Sequence, residues 1–180
     1  MQSVKYRMKK RKKKRKKTTR KKAFSVRWSL DLLEVIKIKI NSMYVPNTLT
    51  PKDKRKQLSM LKNSRNLYKK RRFYTRNKLP SFKSKTSKHI LKAQKLYSTK
   101  IKPSKELSRA SGCPMHVLQG IVKKGEGAYY SSGSRPNQTA QSWAYARLAS
   151  ALTGGKAARV DYHLVSQCNP KKPAFRLAQA

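Results

Sequence analysis

Residues 137–155 read NQTAQSWAYARLASALTGG, an alanine-rich stretch with helix-capping residue types at both ends. Asn137 or Thr139 can cap the start of a helix with its side chain, and Gly154 with Gly155 can end it. Small alanines let a second helix approach closely, so the stretch is predicted to be the central helix of a small helical module. The residues that share one face of this helix are Tyr145, Leu148, Ala149 and Leu152.

Residues 104–124 have the pattern of a helical hairpin. Apolar and small residues recur at helical spacing on both sides of Gly112, and Pro114 can start the second helix. Such hairpins usually only pack together, and His116 with Gln119 is a small set of side chains for reading bases. A DNA-reading unit is therefore the weaker interpretation.

The fold class that follows is mainly α, a helical hairpin plus an alanine-rich helix, with long basic extended arms. The module is predicted to span residues 104–168 and to be followed by a tail at 169–180. The composition changes from Gly125, and residues 127–139, which are rich in Gly, Ser, Asn and Pro, are expected to form a loop.

Residues 23–103 are predicted to be a basic segment, partly helical and partly extended. Thr50, Pro51 and Asp53 make a good helix start, and this helix should run from about 51 to 68. Ser87 is expected to cap a second, short helix. The apolar residues between 24 and 40 fit a strand or a helix equally well.

Residues 68–85 interleave aromatic rings with cations. Such a segment can lie along another chain or along a nucleic acid, with its rings stacked on bases. Alternatively, its rings anchor a loop to the protein's own core. Within it, the run Lys69, Lys70, Arg71 and Arg72 is a predicted polyanion-binding site.

The chain has 47 Lys and Arg residues but only six Asp and Glu, a net charge of +41. Self-repulsion at this charge opposes compaction, so we expect a permanent anionic partner. Residues 1–22 hold fourteen of the cations and no acid, which predicts an arm that is disordered or ordered by a partner. Its predicted polyanion-binding residues are Lys9, Lys10, Arg11, Lys12, Lys13, Lys14, Arg15, Lys16 and Lys17.

Enzymatic chemistry has little support in the sequence. The acids are few and scattered, which argues against acid–base hydrolysis. Gly154-Gly155-Lys156-Ala157 lacks the distal glycine and the hydroxyl group of a phosphate loop, and no serine lies in a nucleophile elbow. We therefore predict a non-enzymatic protein with no catalytic residue and no cofactor.

The sequence also predicts no membrane span and no secretory signal. No run of eighteen apolar residues occurs, so we expect a protein that is not itself transmembrane. The N-terminal residues lack the apolar stretch of a secretory signal, which favours synthesis in the cytosol or entry into the nucleus.

One constellation of metal-ligand residue types remains. Cys113 and His116, with His163 and Cys168, offer two Cys and two His at zinc-like local spacing. The second pair has irregular spacing, and a strand expected there would splay its members. Two buried, reduced thiols and two ordinary histidines are therefore the preferred interpretation, and a zinc site is the weaker one.

Three blocks of sequence carry a resemblance to a known family: FYTRNKLPSFKSK at 73–85, GEGAYYSSGSRPNQTA at 125–140, and SW, ARLAS and TGGK within 142–156. Over residues 58–161 the chain resembles a family of uncharacterised basic proteins of large nucleocytoplasmic DNA viruses of algae and amoebae, some of them virion components. The resemblance implies a minor capsid or cement protein in the virion, on the inner side of an icosahedral shell.

The partners that the resemblance implies are the major capsid protein, other minor capsid proteins, and the DNA or anionic inner membrane beneath the shell. Two alternatives stay open. One is a histone-like virion protein that condenses DNA, and the other is a ribosomal or RNA-assembly protein. Salt should release a nucleic-acid protein steeply, whereas a capsid protein should keep its apolar contacts.

The module is expected to dock on its partner through rings and arginines. The predicted docking residues are Tyr129, Tyr130, Arg135, Trp143 and Arg147. The two arginines lie in a weakly charged part of the chain, so we expect them to make directed, bidentate contacts with the partner.

Overall fold

The computed structural model describes residues 40–179. This part of the chain is mainly α, with no strand, and Asn41–Ala180 form one compact unit. The predicted polyanion-binding run Lys9–Lys17 and the undecided helix or strand between 24 and 39 lie outside the described residues.

A short 3-10 helix at Ser42–Tyr44 precedes the α-helices. In chain order these are α1 (Pro51–Lys69), α2 (Lys88–Tyr97), α3 (Lys105–Ser111), α4 (Met115–Ser131), α5 (Ala140–Leu152), α6 (Lys156–Val160), α7 (Tyr162–Val165) and α8 (Pro173–Gln179).

Helix α1 begins as the sequence predicts. Thr50 accepts a hydrogen bond from the backbone N–H of Asp53, and Pro51 is the first helical residue. The predicted end near residue 68 is also confirmed, because α1 ends at Lys69. Its buried apolar residues are Met60 and Leu61, whereas Leu58 and Tyr68 are only partly covered.

The helical hairpin is confirmed. Gly112 ends α3 in the left-handed conformation, with φ of 75°, and α4 begins directly after Pro114. The expected loop at 127–139 is wrong in its first part, because α4 continues through Gly125 and Gly127 to Ser131. Glycine is a poor helix former, so packing against another helix overrides its propensity here.

Helix α5 is the centre of the unit, as predicted. Thr139 and Ser142 cap its start reciprocally, each accepting a hydrogen bond from the other's backbone N–H. The helix crosses α4 at Gly125, where a Cβ would lie 2.5 Å from the Cα of Ala144. Small residues on both helices therefore bring the two backbones together.

The main core draws on more of the chain than the predicted module at 104–168. Ala93 and Tyr97 of α2 lie in it, and so does Ala174 of α8. The predicted boundary at 104 and the tail at 169–180 are therefore corrected, since α2 and α8 pack into the same unit. Its other buried members include Leu107, Val117, Leu118, Ile121, Leu148, Leu152 and Val165.

A second, smaller cluster of Leu49, Met60 and Leu79 holds the segment between α1 and α2. Tyr74 and Phe82 of that segment pack against it. For Tyr74 and Phe82, this observation favours the interpretation in which the rings anchor a loop to the protein's own core. Among residues 40–179, no helix has both the length and the apolar character needed to cross a membrane.

Candidate functional site

Arg76 is a buried cation at the place where α1, α4 and the segment between α1 and α2 meet. Its guanidinium donates hydrogen bonds to the Ser64 hydroxyl, the Tyr129 carbonyl and the Ser134 hydroxyl at 2.8–3.1 Å. It also lies 3.7 Å from the centre of the Tyr129 ring. Burial lowers the pKa of Arg76 from its ordinary value. The side chain thus fastens three parts of the chain together.

Four rings form a cluster beside Arg76, which we call the aromatic cluster: Tyr68, Phe73, Tyr129 and Tyr130. Tyr130 stacks nearly parallel to Tyr68 and lies 4.9 Å from Phe73. Tyr129 is completely buried, whereas Phe73 keeps 70% of its surface exposed. The cluster therefore extends from the interior to an open ring at the surface.

Lys69–Arg72, which we call the basic turn, connects α1 to Phe73. Arg71 has φ of 56°, and the backbone N–H groups of Arg71 and Arg72 bond to the carbonyls of Tyr68 and Leu67. This is the Schellman arrangement that ends many helices. All four cations of the predicted polyanion-binding run are exposed.

An open groove of ≈ 500 Å³ runs along α4 next to the aromatic cluster. Gly120 and Gly127 keep the helix surface low, and Tyr68 closes one side of the groove. Its lining residues are Tyr68, Gly120, Lys123, Lys124, Gly127, Ala128, Ser131 and Arg147. The groove is therefore cationic and shares Tyr68 with the aromatic cluster.

Asp161 is a completely buried acid that organises the cations at the α5 side of the groove. Arg147 donates two hydrogen bonds to its carboxylate, at 2.7 and 2.8 Å, and these bonds raise the pKa of Arg147. Lys124 lies 3.5 Å from the same carboxylate and 2.7 Å from Nε2 of His163. Asp161 thus fixes Arg147 in place.

Two of the five predicted docking residues, Tyr129 and Arg147, are engaged within the protein itself. Tyr129 is buried, and the bidentate contact of Arg147 is to Asp161 of the same chain, so neither is available to dock on a partner as expected. Arg135 is exposed. Trp143, partly covered, meets Tyr44 edge to face at 5.8 Å, and Tyr130 belongs to the aromatic cluster.

The cysteine prediction is corrected. Cys113 and Cys168 form a disulfide that joins the hairpin turn to the segment after α7, so they are not reduced thiols and do not hold zinc. The expected strand at this position is also wrong, because Tyr162–Val165 are helical. His116 pairs with Gln167 at 3.0 Å. Within residues 40–179, no group of three or more His, Cys, Asp or Glu side chains could hold a metal ion.

Three of the four acidic residues of this part of the chain, Asp53, Glu106 and Asp161, bond to groups of the same chain. Residues 40–179 hold thirty basic and four acidic side chains. Asp53 accepts hydrogen bonds from the backbone and hydroxyl of Ser81, which lower its pKa, and a hydrogen bond from Ser104 lowers that of Glu106. With Asp161 buried as well, the surface keeps an almost uncompensated positive charge.

Arg76, Asp161 and Asn137 are the structural residues that the sequence prediction missed. Asn137 adopts the left-handed conformation and holds the α1–α2 connection through hydrogen bonds to the backbone of Leu79 and Phe82. The sequence does contain a signal for Asp161. Acids are scarce in this very basic chain, so each acid has many cations available as partners. No comparable pattern in the sequence distinguishes Arg76 among the 47 Lys and Arg residues.

Residues 43–170 match a family whose description reads "Family of unknown function (DUF5824)". The match covers nearly all of the helical unit described above. No curated protein and no solved structure matches the chain.

Proposed function

We propose a structural role for this chain, which belongs to the family of unknown function DUF5824. It is a non-enzymatic protein that binds polyanionic surfaces inside a large assembly. The assembly that the sequence resemblance favours is a virion, in which the protein acts as a minor capsid or cement protein inside the shell. There it bridges capsid proteins and the genome or membrane beneath.

The distribution of charge carries the polyanion-binding part of this proposal. Exposed Lys or Arg side chains occur on α1, α2, α3, α4, α6 and α8 and on the connections between them. A domain that reads one groove of a duplex concentrates its cations on one face. Cations on so many elements instead suit a protein that is surrounded by anionic partners.

The use of three of the four acids in residues 40–179 supports the non-enzymatic part. Asp53 and Asp161 are buried and bond groups of the same chain, and Glu106 bonds Ser104 at the start of α3. Their hydrogen-bond partners hold elements of the fold together. A general base needs a carboxylate within reach of a substrate proton, and these three are occupied by the fold.

The experiment is a stepwise fractionation of purified virions of the source, with rising salt and then detergent. The protein is followed by quantitative mass spectrometry against the major capsid protein and the DNA. We expect it to stay with DNA-free shells in high salt, because apolar contacts resist counterion screening. Release together with the genome would replace the capsid role with DNA condensation, and absence from virions would refute both.

A further inference from the structure

Phe73 has an exposed aromatic ring, and the positive charge of the protein does not explain this exposure. Its ring is 70% exposed, yet it is held against Tyr130 at 4.9 Å and lies 6.2 Å from Tyr68. Tyr130 in turn meets the buried Tyr129 edge to face. An exposed ring supported from behind by other rings is a stacking platform for a flat group.

The basic turn places four cations directly before this ring. Arg71 holds the left-handed conformation, which usually selects glycine at this position of a helix end. Arginine costs backbone free energy there, and such local strain concentrates at functional sites. Cations also suit the negative end of the α1 dipole, which explains a positive charge near this end but not an arginine at residue 71 itself.

The groove along α4 continues the same surface. Tyr68 belongs both to the aromatic cluster and to the groove wall, and Lys123 and Lys124 line the groove beyond it. Gly127 lies next to the Tyr68 hydroxyl, and a Cβ there would be in ordinary contact with the Tyr68 oxygen at 3.4 Å. The open ring therefore follows the basic turn directly in the chain, and Tyr68 links it to the groove that Lys123 and Lys124 line.

We propose that this surface binds single-stranded nucleic acid, with an unpaired base stacked on Phe73 and flanking phosphates on the basic turn and the groove lysines. The proposal rests on the polyanion-binding function above and names the ligand class of one site. Flat faces and regularly spaced charges occur together in unpaired nucleotides. A duplex covers its base faces by stacking, and an acidic peptide offers charge without a base.

The test measures binding of the full-length protein to an oligo(dT) of about eight nucleotides, a length within the range of such sites. Inorganic polyphosphate of similar charge and poly-L-glutamate are the comparison ligands. We expect Phe73→Ala to weaken oligo(dT) binding by about 10-fold and Phe73→Trp to retain it, because stacking needs an aromatic face. Polyphosphate binding should not change. Tyr162→Ala, which removes another exposed ring, is the matched control.

The charged part of the site has its own readout. Each phosphate contact on a single strand contributes about 0.7 to the slope of log affinity against log salt, so Lys69→Gln with Lys70→Gln should reduce the slope by about 1.4. Lys100→Gln with Lys102→Gln removes the same charge from the α2–α3 connection and should leave the slope for this short ligand unchanged. Arg71→Gly should weaken binding without lowering the melting temperature, which a purely structural arginine would not do.

The outcomes separate the two proposals. If Phe73→Ala binds oligo(dT) as tightly as the unaltered protein while all three polyanions bind, the stacking site is wrong and polyanion binding stands. If Phe73→Ala weakens poly-L-glutamate instead, the surface is a protein-docking site and this proposal is overturned. Failure of the unaltered protein to bind any of the three polyanions would refute the polyanion-binding function as well.

Discussion

Replacement of Gly125 by alanine should destabilise the protein even though alanine is the better helix former. A Cβ at this position would lie 2.5 Å from Cα and 2.9 Å from Cβ of Ala144, and both atoms belong to the packed α5 helix. Because backbone cannot rotate away, α4 and α5 must move apart by about 1 Å to reach ordinary contact distances. Overpacking of this kind costs about 1–3 kcal/mol, against which the alanine contributes about 1 kcal/mol of helix propensity.

The expected net loss for Gly125→Ala is up to about 2 kcal/mol, or a melting temperature lower by up to roughly 8 °C for a unit of this size. Gly120→Ala is the matched control in the same helix, since its Cβ would meet only the Leu164 methyl groups at 3.5–3.6 Å. That variant should gain about 0.5–1 kcal/mol. Thermal unfolding followed by circular dichroism at fixed salt measures both. Equal stability of the two variants would refute the close α4–α5 contact.

Three further changes test the internal network. Asp161→Asn breaks the bidentate contact to Arg147. We expect urea unfolding to show a loss of about 2 kcal/mol of stability. This is less than for a fully buried pair, because the Arg147 side chain is 22% exposed. A loss below about 0.5 kcal/mol would show that Asp161 does not fix this corner. Arg76→Lys keeps the charge but loses the planar guanidinium. It should lower the free energy of unfolding by about 2 kcal/mol and speed proteolysis between α1 and α2. Stability equal to that of the unaltered protein would contradict the assigned role. Reduction of the Cys113–Cys168 disulfide, which spans 55 residues, should cost about 2–4 kcal/mol. An identical melting temperature with and without reductant would argue against the bond.

The helices that the sequence predicts correctly have local signals at their ends. Thr50 with Pro51, Gly112 and Thr139 act on backbone groups within a few residues of themselves, so their effect can be read from the sequence. Gly125 shows the opposite case. Its place inside α4 depends on Ala144, which is far along the chain, and no local pattern encodes that contact.

The sequence predicted the type of contact that a site residue makes better than it predicted the partner in that contact. Arg147 was expected to make a bidentate contact with a partner, and the bidentate contact exists but is made with Asp161. The partners of Arg76 lie 12 to 58 residues away, and its role depends on burial that its neighbours in sequence do not reveal. The cysteines are 55 residues apart, a separation that distinguishes neither thiols from a disulfide nor structure from metal binding.

Lysine footprinting can test whether anionic partners cover the cationic surface of the helical unit in the native assembly. Amine-reactive labelling of the intact assembly and of the purified protein, compared by mass spectrometry, reports each lysine separately. We expect strong protection in the assembly for lysines that are exposed in the free protein, such as Lys69, Lys83, Lys95 and Lys100. Equal labelling of these lysines in both samples would contradict this expectation, because the surface would then be in contact with water alone.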